Sequence, residues 1–272
     1  MIKELNSLIG FGESLESGKG QFILVTDHQA DGSFVIHHFL STFVRSQHKV
    51  IFVSLAQSFG HYNSVAQKFG THIATAKGKG QLSHLDGLSF SLQLYHDGNM
   101  EESETGRPSL FTNCVQCRSL RHLYDTVSSL VSSHVRDSPS SPISVIIDDL
   151  SVLMALGFHV QAIAEFIHYC RVTLKTLTQS SGNLVSLVHN DIDVGDEDSL
   201  KLTNVLSHQA DILIQIEGLT SGFSKDVHGQ MTIINRSLQH NTPGRRKASS
   251  FHYKILDKTV SLFPIGTSSA VL

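Results

Sequence analysis

The chain has 272 residues, 40% of them apolar, and a formal net charge of −3 at pH 7. This size suffices for one α/β domain with a buried core and is short for two, so we expect a single domain over residues 1–272. The charge excludes a chain-wide basic surface, and a free-standing DNA-binding protein is not expected. Polar residues interrupt the apolar ones at the N-terminus, and no run is as long as a membrane helix. We expect an intracellular protein.

Apolar runs alternate with helical patterns from the N-terminus to about residue 211, which is typical of strands buried on both faces of a parallel sheet. The runs predict strands at residues 22–26, 50–55, 82–85, 143–147 and 184–188. Between them, three helical stripes are expected to face the core. They are Val35, Phe39 and Phe43; Leu120, Leu123, Tyr124, Val127, Leu130 and Val131; and Ile163, Ile167, Cys170, Leu174 and Leu177.

The pattern changes after residue 211. Apolar runs at residues 212–216, 231–234, 251–255 and 260–263 are separated by short polar turns, which predicts antiparallel strands that extend the sheet. The fold class is therefore α/β, with a mostly parallel central sheet flanked by helices and with antiparallel strands at the C-terminus.

The most informative segment follows the first predicted strand. The pattern of the phosphate-binding loop, G-x-x-x-x-G-K-[ST], can be laid over the eight residues DHQADGSF, but only Gly32 matches. Asp27 stands at the first glycine, Ser33 at the lysine, and Phe34 at the hydroxyl that would hold magnesium. Asp27 and Asp31 also add negative charge where phosphate would bind. We therefore predict a P-loop NTPase-type fold that is not an ATPase, with no catalytic, cofactor or metal site.

A second feature of NTPases is the apolar strand at residues 143–147, which is followed by Asp148 and Asp149. In P-loop enzymes an aspartate at this place holds magnesium through water. The alternative is that the strand ends at a polar edge and Asp149 caps the next helix. The second interpretation is favoured, because a magnesium site without the P-loop lysine and hydroxyl has little to organise it.

Three stretches are predicted to be loops. Residues 96–108 and 137–142 are expected to be mobile connections, and residues 189–198, which are strongly acidic, a solvated loop. A further segment, residues 1–20, precedes the first strand.

Histidine is over-represented, at 17 residues. Adjacent His37 and His38 point to different faces of a helix, and Cys114 and Cys117 lack a second ligand pair at a zinc-like spacing. Neither arrangement is a complete metal site. Together with Cys170, the cysteines are most simply free thiols in a reducing compartment.

Several segments closely resemble the family of the sixth subunit of the Elongator complex. They are DGSFVIHHFLS at 31–41, AQSFGHYNSVAQKFG at 56–70, VIIDDLSVLMALG at 145–157, EFIHYCR at 165–171, GLTSGFSKDVHGQ at 218–230, and the ending SSAVL. The resemblance covers most of the chain and departs mainly at residues 98–107 and 138–141.

The resemblance implies a RecA-like core without catalytic motifs. It also implies a hetero-hexameric ring with the fourth and fifth Elongator subunits, which docks on the catalytic Elongator subcomplex, binds tRNA and supports wobble uridine (U34) modification. The protein would be cytoplasmic and nuclear, with no membrane partner. Active relatives usually place a glutamate after the second strand, where this chain has Ala56 and Gln57. Residues 189–198 lie where such folds carry a nucleic-acid loop, but their carboxylates argue against RNA contact.

Basic and exposed-aromatic segments supply the candidate contact residues. The RNA-binding candidates are Lys77, Lys79, Arg245, Arg246 and Lys247. The interface candidates are Phe223, Lys225, Asp226 and His228, where a glycine-rich connection would expose an aromatic anchor unless Phe223 is tucked in. Two other functions stay open: a RecA paralogue that binds ATP weakly, and a scaffold unrelated to tRNA.

Overall fold

The computed structural model describes residues 1–2, 4–11, 20–89, 114, 118–178, 182–190, 197–219, 222, 224–236 and 247–266. Across those residues, no helix is long and apolar enough to cross a membrane. The predicted single-domain organisation stays a prediction. The predicted loop at residues 96–108 and residues 12–19 of the N-terminal segment lie outside this description.

The helices and strands alternate as the sequence pattern predicts. In chain order they are α1 (Leu5–Leu8), β1 (Phe22–His28), α2 (Ser33–Arg45), β2 (Lys49–Ser54), α3 (Phe59–Lys68), α4 (Ile73–Gly78), β3 (Leu82–Asp86), α5 (Arg121–Asp137), β4 (Ile143–Ile147), α6 (Ser151–Ala155), α7 (Val160–Leu177), β5 (Asn183–His189), α8 (Glu197–Gln209), β6 (Ile212–Glu217), β7 (Gly229–Asn235), β8 (Lys247–Ile255) and β9 (Val260–Pro264).

All these strands form one nine-stranded sheet in the order β3-β2-β4-β5-β1-β6-β7-β8-β9. The strands from β3 to β6 in this order run parallel, and β7, β8 and β9 continue the sheet antiparallel. The predicted α/β class, with its antiparallel C-terminal extension, is confirmed. Because parallel strands end at the same edge of a sheet, the turns after β1, β4 and β5 meet at what we call the carboxyl edge. The opposite side of the sheet is the amino edge.

The parallel strands are buried on both faces, which explains their continuous apolar runs. On β1, Ile23 and Val25 pack towards α2, whereas Phe22 and Leu24 pack into a second core with α5, α7 and α8. The predicted stripes face these cores. Phe39, for example, has no exposed surface, and burying such a ring contributes about 2 kcal/mol or more.

The N-terminal residues lie against α2 and the last strand. Ile2 forms a parallel bridge with Val260, and its N–H donates to Nδ1 of His38 at 3.3 Å. His38 Nε2 donates to Asn6 Oδ1 at 2.9 Å, and burial lowers the pKa of His38 to about 3, so its ring is neutral. The His38 side chain thus has a structural role, since it attaches the N-terminal residues to α2.

Helices α3 and α4 were not predicted, although α3 has a local start signal. The side chain of Ser58 caps α3 by accepting a hydrogen bond from the His61 N–H at 3.2 Å. The predicted connection at residues 137–142 begins inside α5 and continues as a turn in which the Ser141 N–H donates to the Ser138 carbonyl at 3.1 Å. Its mobility stays a prediction.

Candidate functional site

The turn after β1 occupies the place of a phosphate-binding loop, and its backbone donors are bound to its own carboxylates. The buried side chain of Asp27 accepts the Gly32 N–H at Oδ2, at 2.8 Å. Asp31 accepts the Ser33 N–H at Oδ1, also at 2.8 Å. These N–H groups are at the start of α2, where a P-loop would present them to phosphate. The two aspartates therefore stand where the anion would bind.

The residue at the magnesium-hydroxyl position belongs to the core. Phe34 is partly buried, and its ring centroid lies 5.1 Å from that of Tyr253 on β8. Burial, together with the charges of Asp31 and Asp27, raises the pKa of Tyr253 to about 12. The side chain at this position thus joins the start of α2 to the antiparallel extension and offers no oxygen to a metal.

A histidine on β5 bridges two aspartates on neighbouring strand ends. His189 Nδ1 lies 2.7 Å from Asp27 Oδ1, and His189 Nε2 lies 3.1 Å from Asp149 Oδ2. Hydrogen bonds to Asp149 and Asp27 raise the pKa of His189 to about 10 against the lowering effect of burial. Since both ring nitrogens donate to carboxylates, the ring is an imidazolium at neutral pH.

The other carboxylate after β4 is engaged by neutral donors. Asp148 accepts the backbone N–H groups of Leu55 at 2.6 Å, Ala56 at 3.0 Å and Gln57 at 3.4 Å, and the Tyr62 hydroxyl at 2.9 Å. Burial raises the pKa of Asp148 to about 6, and the hydrogen bonds hold the rise down. At neutral pH the side chain is mainly ionised, and it fixes the end of β2 to the end of β4.

Asp149 combines two roles. Its Oδ1 accepts the Ser151 N–H at 2.8 Å at the start of α6, while its Oδ2 faces His189. The favoured interpretation, in which Asp149 caps the next helix, is wrong by one residue, because the N-cap of α6 is Leu150 and Asp149 accepts from the first helical residue without being the cap. The ion pair with His189 was not predicted.

The acidic segment at residues 189–198 is only partly the solvated loop that we predicted. His189 is the last residue of β5, and Glu197 and Asp198 are the first residues of α8, where acidic side chains suit the positive end of the helix dipole. Residues 191–196 lie outside the described part of the chain. The prediction was wrong at both ends, because β5 runs one residue further to reach Asp27 and the acidic residues favour a helix start.

The charged side chains described at the carboxyl edge are bound to one another or to donors of the same chain. Each carboxylate described above already accepts donors from the protein, and the one imidazolium lies between two of them. Within the described ranges, no group of three or more His, Cys, Asp or Glu side chains is arranged to hold a metal ion. The edge is a set of cross-links between β1, β2, β4 and β5.

Of the RNA-binding candidates, two lie beside the edge strand β3. Lys77 is exposed, and its ammonium lies 4.7 Å above the ring of Phe59. Lys79, also exposed, follows α4 in the turn that leads to the start of β3, at the amino edge. A cation–π contact at an exposed site is weak, so it leaves the Lys77 charge available. Both lysine residues are exposed to solvent.

The second RNA-binding candidate region leads into β8, which starts at the same edge but far along the sheet. The backbone of Lys247 opens β8 opposite Asn235, which in turn pairs with Ile212 at the start of β6. Seven strand spacings of about 4.8 Å separate β3 from β8, or roughly 34 Å. Arg245, Arg246 and the Lys247 side chain lie outside the described residues. The start of β8 is therefore far from Lys77 and Lys79 along the sheet.

Three of the interface candidates, Lys225, Asp226 and His228, lie at the carboxyl edge, after β6. Asp226 Oδ1 accepts Lys254 Nζ at 3.0 Å, and His228 Nδ1 accepts the Ile255 N–H at 3.2 Å, so both are held against the end of β8. Lys225 is exposed. Phe223 lies outside the described residues, so whether it forms an anchor stays a prediction.

The signal for His189 was present in the sequence. Asp27, Asp148–Asp149 and His189 each come directly after a predicted strand, and the ends of parallel strands meet at one edge. The histidine count drew attention to His37 and His38 instead, because they are adjacent in the chain. Strand adjacency, with β5 between β1 and β4, is what places His189 between the two carboxylates.

Comparison with solved structures defines the class of fold. A KaiC-like protein from the hyperthermophilic archaeon Pyrococcus horikoshii is similar with a TM-score of 0.54, over 90% of this chain and 91% of that chain, at 14% identity. This similarity, together with the strand order and the strand–turn–helix arrangement of β1 and α2, shows a RecA-like fold.

Sequence comparison shows the family. Residues 2–257 match the family model described as Elongation complex protein 6. Elongator complex protein 6 of Xenopus laevis is 42% identical over 273 residues, and that of Homo sapiens 38% identical over 276 residues, each covering 100% of both chains. The protein from Dictyostelium discoideum is 25% identical over 94% of both chains. The chain belongs to the Elongation complex protein 6 family.

Proposed function

We propose that this chain is a non-catalytic subunit of Elongator. In this proposal it forms a RecA-like hetero-hexameric ring with the fourth and fifth subunits, in the cytoplasm and nucleus. The ring docks on the catalytic subcomplex, binds tRNA and supports modification of the wobble uridine U34. Family membership implies partnership with other Elongator subunits. The particular partners and the tRNA substrate are part of this proposal.

The observation that supports the non-catalytic role is that the backbone donors of the turn after β1 are already hydrogen-bonded within the chain. The N–H groups of Gly32 and Ser33 are bound to carboxylates of the same turn. A nucleotide would have to displace both carboxylates, of which Asp27 is buried and Asp31 exposed, and place its phosphates beside their negative charges. Losing these hydrogen bonds and bringing like charges together both cost free energy. Phe34 and Ser33 also lack the metal-binding and charged groups of active enzymes.

Absence of nucleotide binding is testable on the assembled complex. We expect that ATP with magnesium, at millimolar concentration, leaves the unfolding temperature of this subunit unchanged and that purified ring preparations show no hydrolysis attributable to it. Variants Asp27→Gly and Asp31→Ala, which free the two N–H groups, provide the comparison. Stabilisation of the unmodified chain by ATP would instead favour the weakly nucleotide-binding paralogue.

The assembly is tested by co-expression with the fourth and fifth subunits, followed by native mass measurement and tRNA binding. We expect a defined hetero-oligomer that binds tRNA only when all three chains are present. A stable monomer that ignores both partners would contradict the ring and leave an unrelated scaffold as the explanation.

RNA contact is proposed to come from the lysines and arginines identified in the sequence, on surfaces built jointly with the partners. Replacing Arg245, Arg246 and Lys247 by alanine should flatten the salt dependence of tRNA binding by the assembled ring, because each lost phosphate contact lowers the slope by about one. Lys77→Ala with Lys79→Ala tests the other region separately. An unchanged slope removes the altered region from the proposal.

Interface residues are proposed after β6. Replacing Lys225, Asp226 and His228 by alanine should weaken ring assembly. Replacing Lys201, an exposed residue of α8, by alanine should not. Phe223→Ala is expected to have the largest effect of this group if it is an anchor.

A further inference from the structure

A groove that the proposed function does not use lies between the start of α5 and the first half of α7. Its volume is about 530 Å³. Its lining combines aromatic and charged side chains, namely Arg118, Arg121, Tyr124, Glu165, Phe166 and Tyr169. The groove is on the face of the sheet that α5, α7 and α8 cover, and its lining residues are not among those that form the cross-links of the carboxyl edge.

The aromatic part of the groove is exposed yet ordered. The Tyr169 residue is 53% exposed, and its ring centroid lies 5.7 Å from that of Tyr124. The Tyr124 hydroxyl and Thr173 Oγ1 are hydrogen-bonded at 2.9 Å, which fixes the second ring. Val172, 44% exposed, continues the apolar strip along α7. Large apolar side chains exposed side by side mark contact surfaces more often than scattered single ones do.

The charged part of the groove is basic at one wall. Arg121 Nε lies 3.7 Å from Asp125 Oδ2, but these side chains are 81% and 53% exposed, so the pair is weak and the guanidinium stays available. Arg118 is exposed beside it. On the opposite wall, Glu165 Oε1 already accepts Gln161 Nε2 at 2.8 Å. The wall formed by the start of α5 therefore carries the two guanidinium groups, and the wall formed by α7 carries the carboxylate of Glu165.

This mixture favours a protein occupant over a nucleic acid. A phosphate backbone along the groove would run past the carboxylates of Glu165 and Asp125, which repel it. A protein segment can place one carboxylate against the arginines and leave the acidic wall to neutral groups. Tyrosine and arginine are also the residues that most often carry binding energy at protein interfaces, where lysine is depleted.

We propose that this groove holds a segment of another Elongator subunit, which presents a carboxylate to Arg118 and Arg121 and an apolar side chain to Tyr124 and Tyr169. Bidentate pairing of a guanidinium with the carboxylate gives the contact its direction, and the paired tyrosines exclude water from it. This proposal needs only membership of the complex and does not depend on the ring or on tRNA binding.

The test uses the full-length chain in competition. Wild-type and variant chains with different tags are co-expressed with the other Elongator subunits, and the ratio of the two tags in the purified complex is measured. We expect Arg118→Glu with Arg121→Glu, and separately Tyr169→Ala, to be incorporated about tenfold less than wild type. Arg136→Ala and Lys175→Ala, exposed on the same two helices outside the groove, should be incorporated equally. Thermal unfolding of each chain verifies that the variants are folded.

The occupant is identified by replacing Tyr169 with p-benzoylphenylalanine and irradiating the purified complex in the presence of tRNA. A cross-linked peptide from another subunit, with an aspartate, a glutamate or a chain terminus near the site of attachment, would support the proposal. Equal incorporation of folded groove variants would overturn it. Cross-linking to tRNA, to a second copy of this chain, or to a peptide without a carboxylate would do so as well.

Discussion

The carboxyl edge of the sheet and the groove between α5 and α7 use charge in opposite ways. At the edge, buried Asp27, Asp148 and Asp149 are matched by donors of the same chain, so little remains to bind a ligand. At the groove, Arg121 and Tyr169 are exposed and only weakly engaged. The turns at the carboxyl edge are thus tied together by contacts within the chain, whereas the groove presents exposed side chains on an outer helical face. Removing an edge residue should cost stability, whereas removing a groove residue should cost association.

The largest expected effect at the edge is for Asp148→Ala. This change leaves the N–H groups of Leu55, Ala56 and Gln57 and the Tyr62 hydroxyl without their acceptor, which should lower the free energy of unfolding by about 4 kcal/mol. Asp148→Asn keeps one accepting oxygen and should cost about half as much. Urea denaturation of the purified chain measures both.

The matched control is Asp137→Ala, an exposed carboxylate at the end of α5. Its effect should stay within about 0.5 kcal/mol. An Asp148→Ala variant as stable as this control would mean that the buried carboxylate is not the cross-link between β2 and β4.

The next effect is for His189→Ala, which removes the cation between Asp27 and Asp149. Breaking a buried ion pair by removing one partner is strongly destabilising, but the His189 side chain is 41% exposed, so we expect a loss of about 3 kcal/mol at pH 7. His208→Ala on α8, an exposed histidine, is the control. If both variants unfold at the same urea concentration, the bridge contributes no stability.

The same bridge predicts a pH dependence. The folded-state pKa of His189 is about 10 and its ordinary value is 6.5, so its contribution is fully present below pH 6.5 and is lost as the pH rises through 10. Between pH 7 and pH 10 the wild type should lose about 2 kcal/mol relative to His189→Ala, since solvent screens the half-exposed ring. Urea midpoints across this range give the difference. Parallel profiles for the two chains would contradict a charged bridge.

The elements of the edge could be predicted from the sequence better than their contacts. Strands buried on both faces leave continuous apolar runs, so β1, β4 and β5 were found to within about two residues. The loss of P-loop chemistry could also be seen, because it depends on residue identity at Ser33 and Phe34. The hydrogen bond from the Gly32 N–H to Asp27 could not be predicted, because it depends on the geometry of the turn.

The groove shows a different limit of prediction. Tyr124 was assigned to a core stripe by its helical spacing, and it is half-buried and hydrogen-bonded to Thr173. Spacing cannot tell which residues at the border of a stripe stay exposed, since that depends on how α5 and α7 pack together. Tyr169, which neighbours the buried Cys170 in the chain, carried no periodic signal of its own.

The smallest expected effect separates hydrogen bonding from charge at the edge. Tyr62→Phe removes one of the donors to Asp148 and keeps the ring, whose centroid lies 4.7 Å from that of Phe52. Because the three backbone donors remain, the free energy of unfolding should fall by only about 1 kcal/mol. The hydroxyl is also one of the groups that hold down the pKa of Asp148, so this pKa should rise above about 6 in the variant. The folded protein would then take up a proton at higher pH than the wild type, and the variant should be least destabilised near pH 5, where the carboxyl group is protonated in both chains. A loss that is equal at pH 5 and pH 8 would mean that the Tyr62 hydroxyl stabilises the edge without acting through the charge of Asp148.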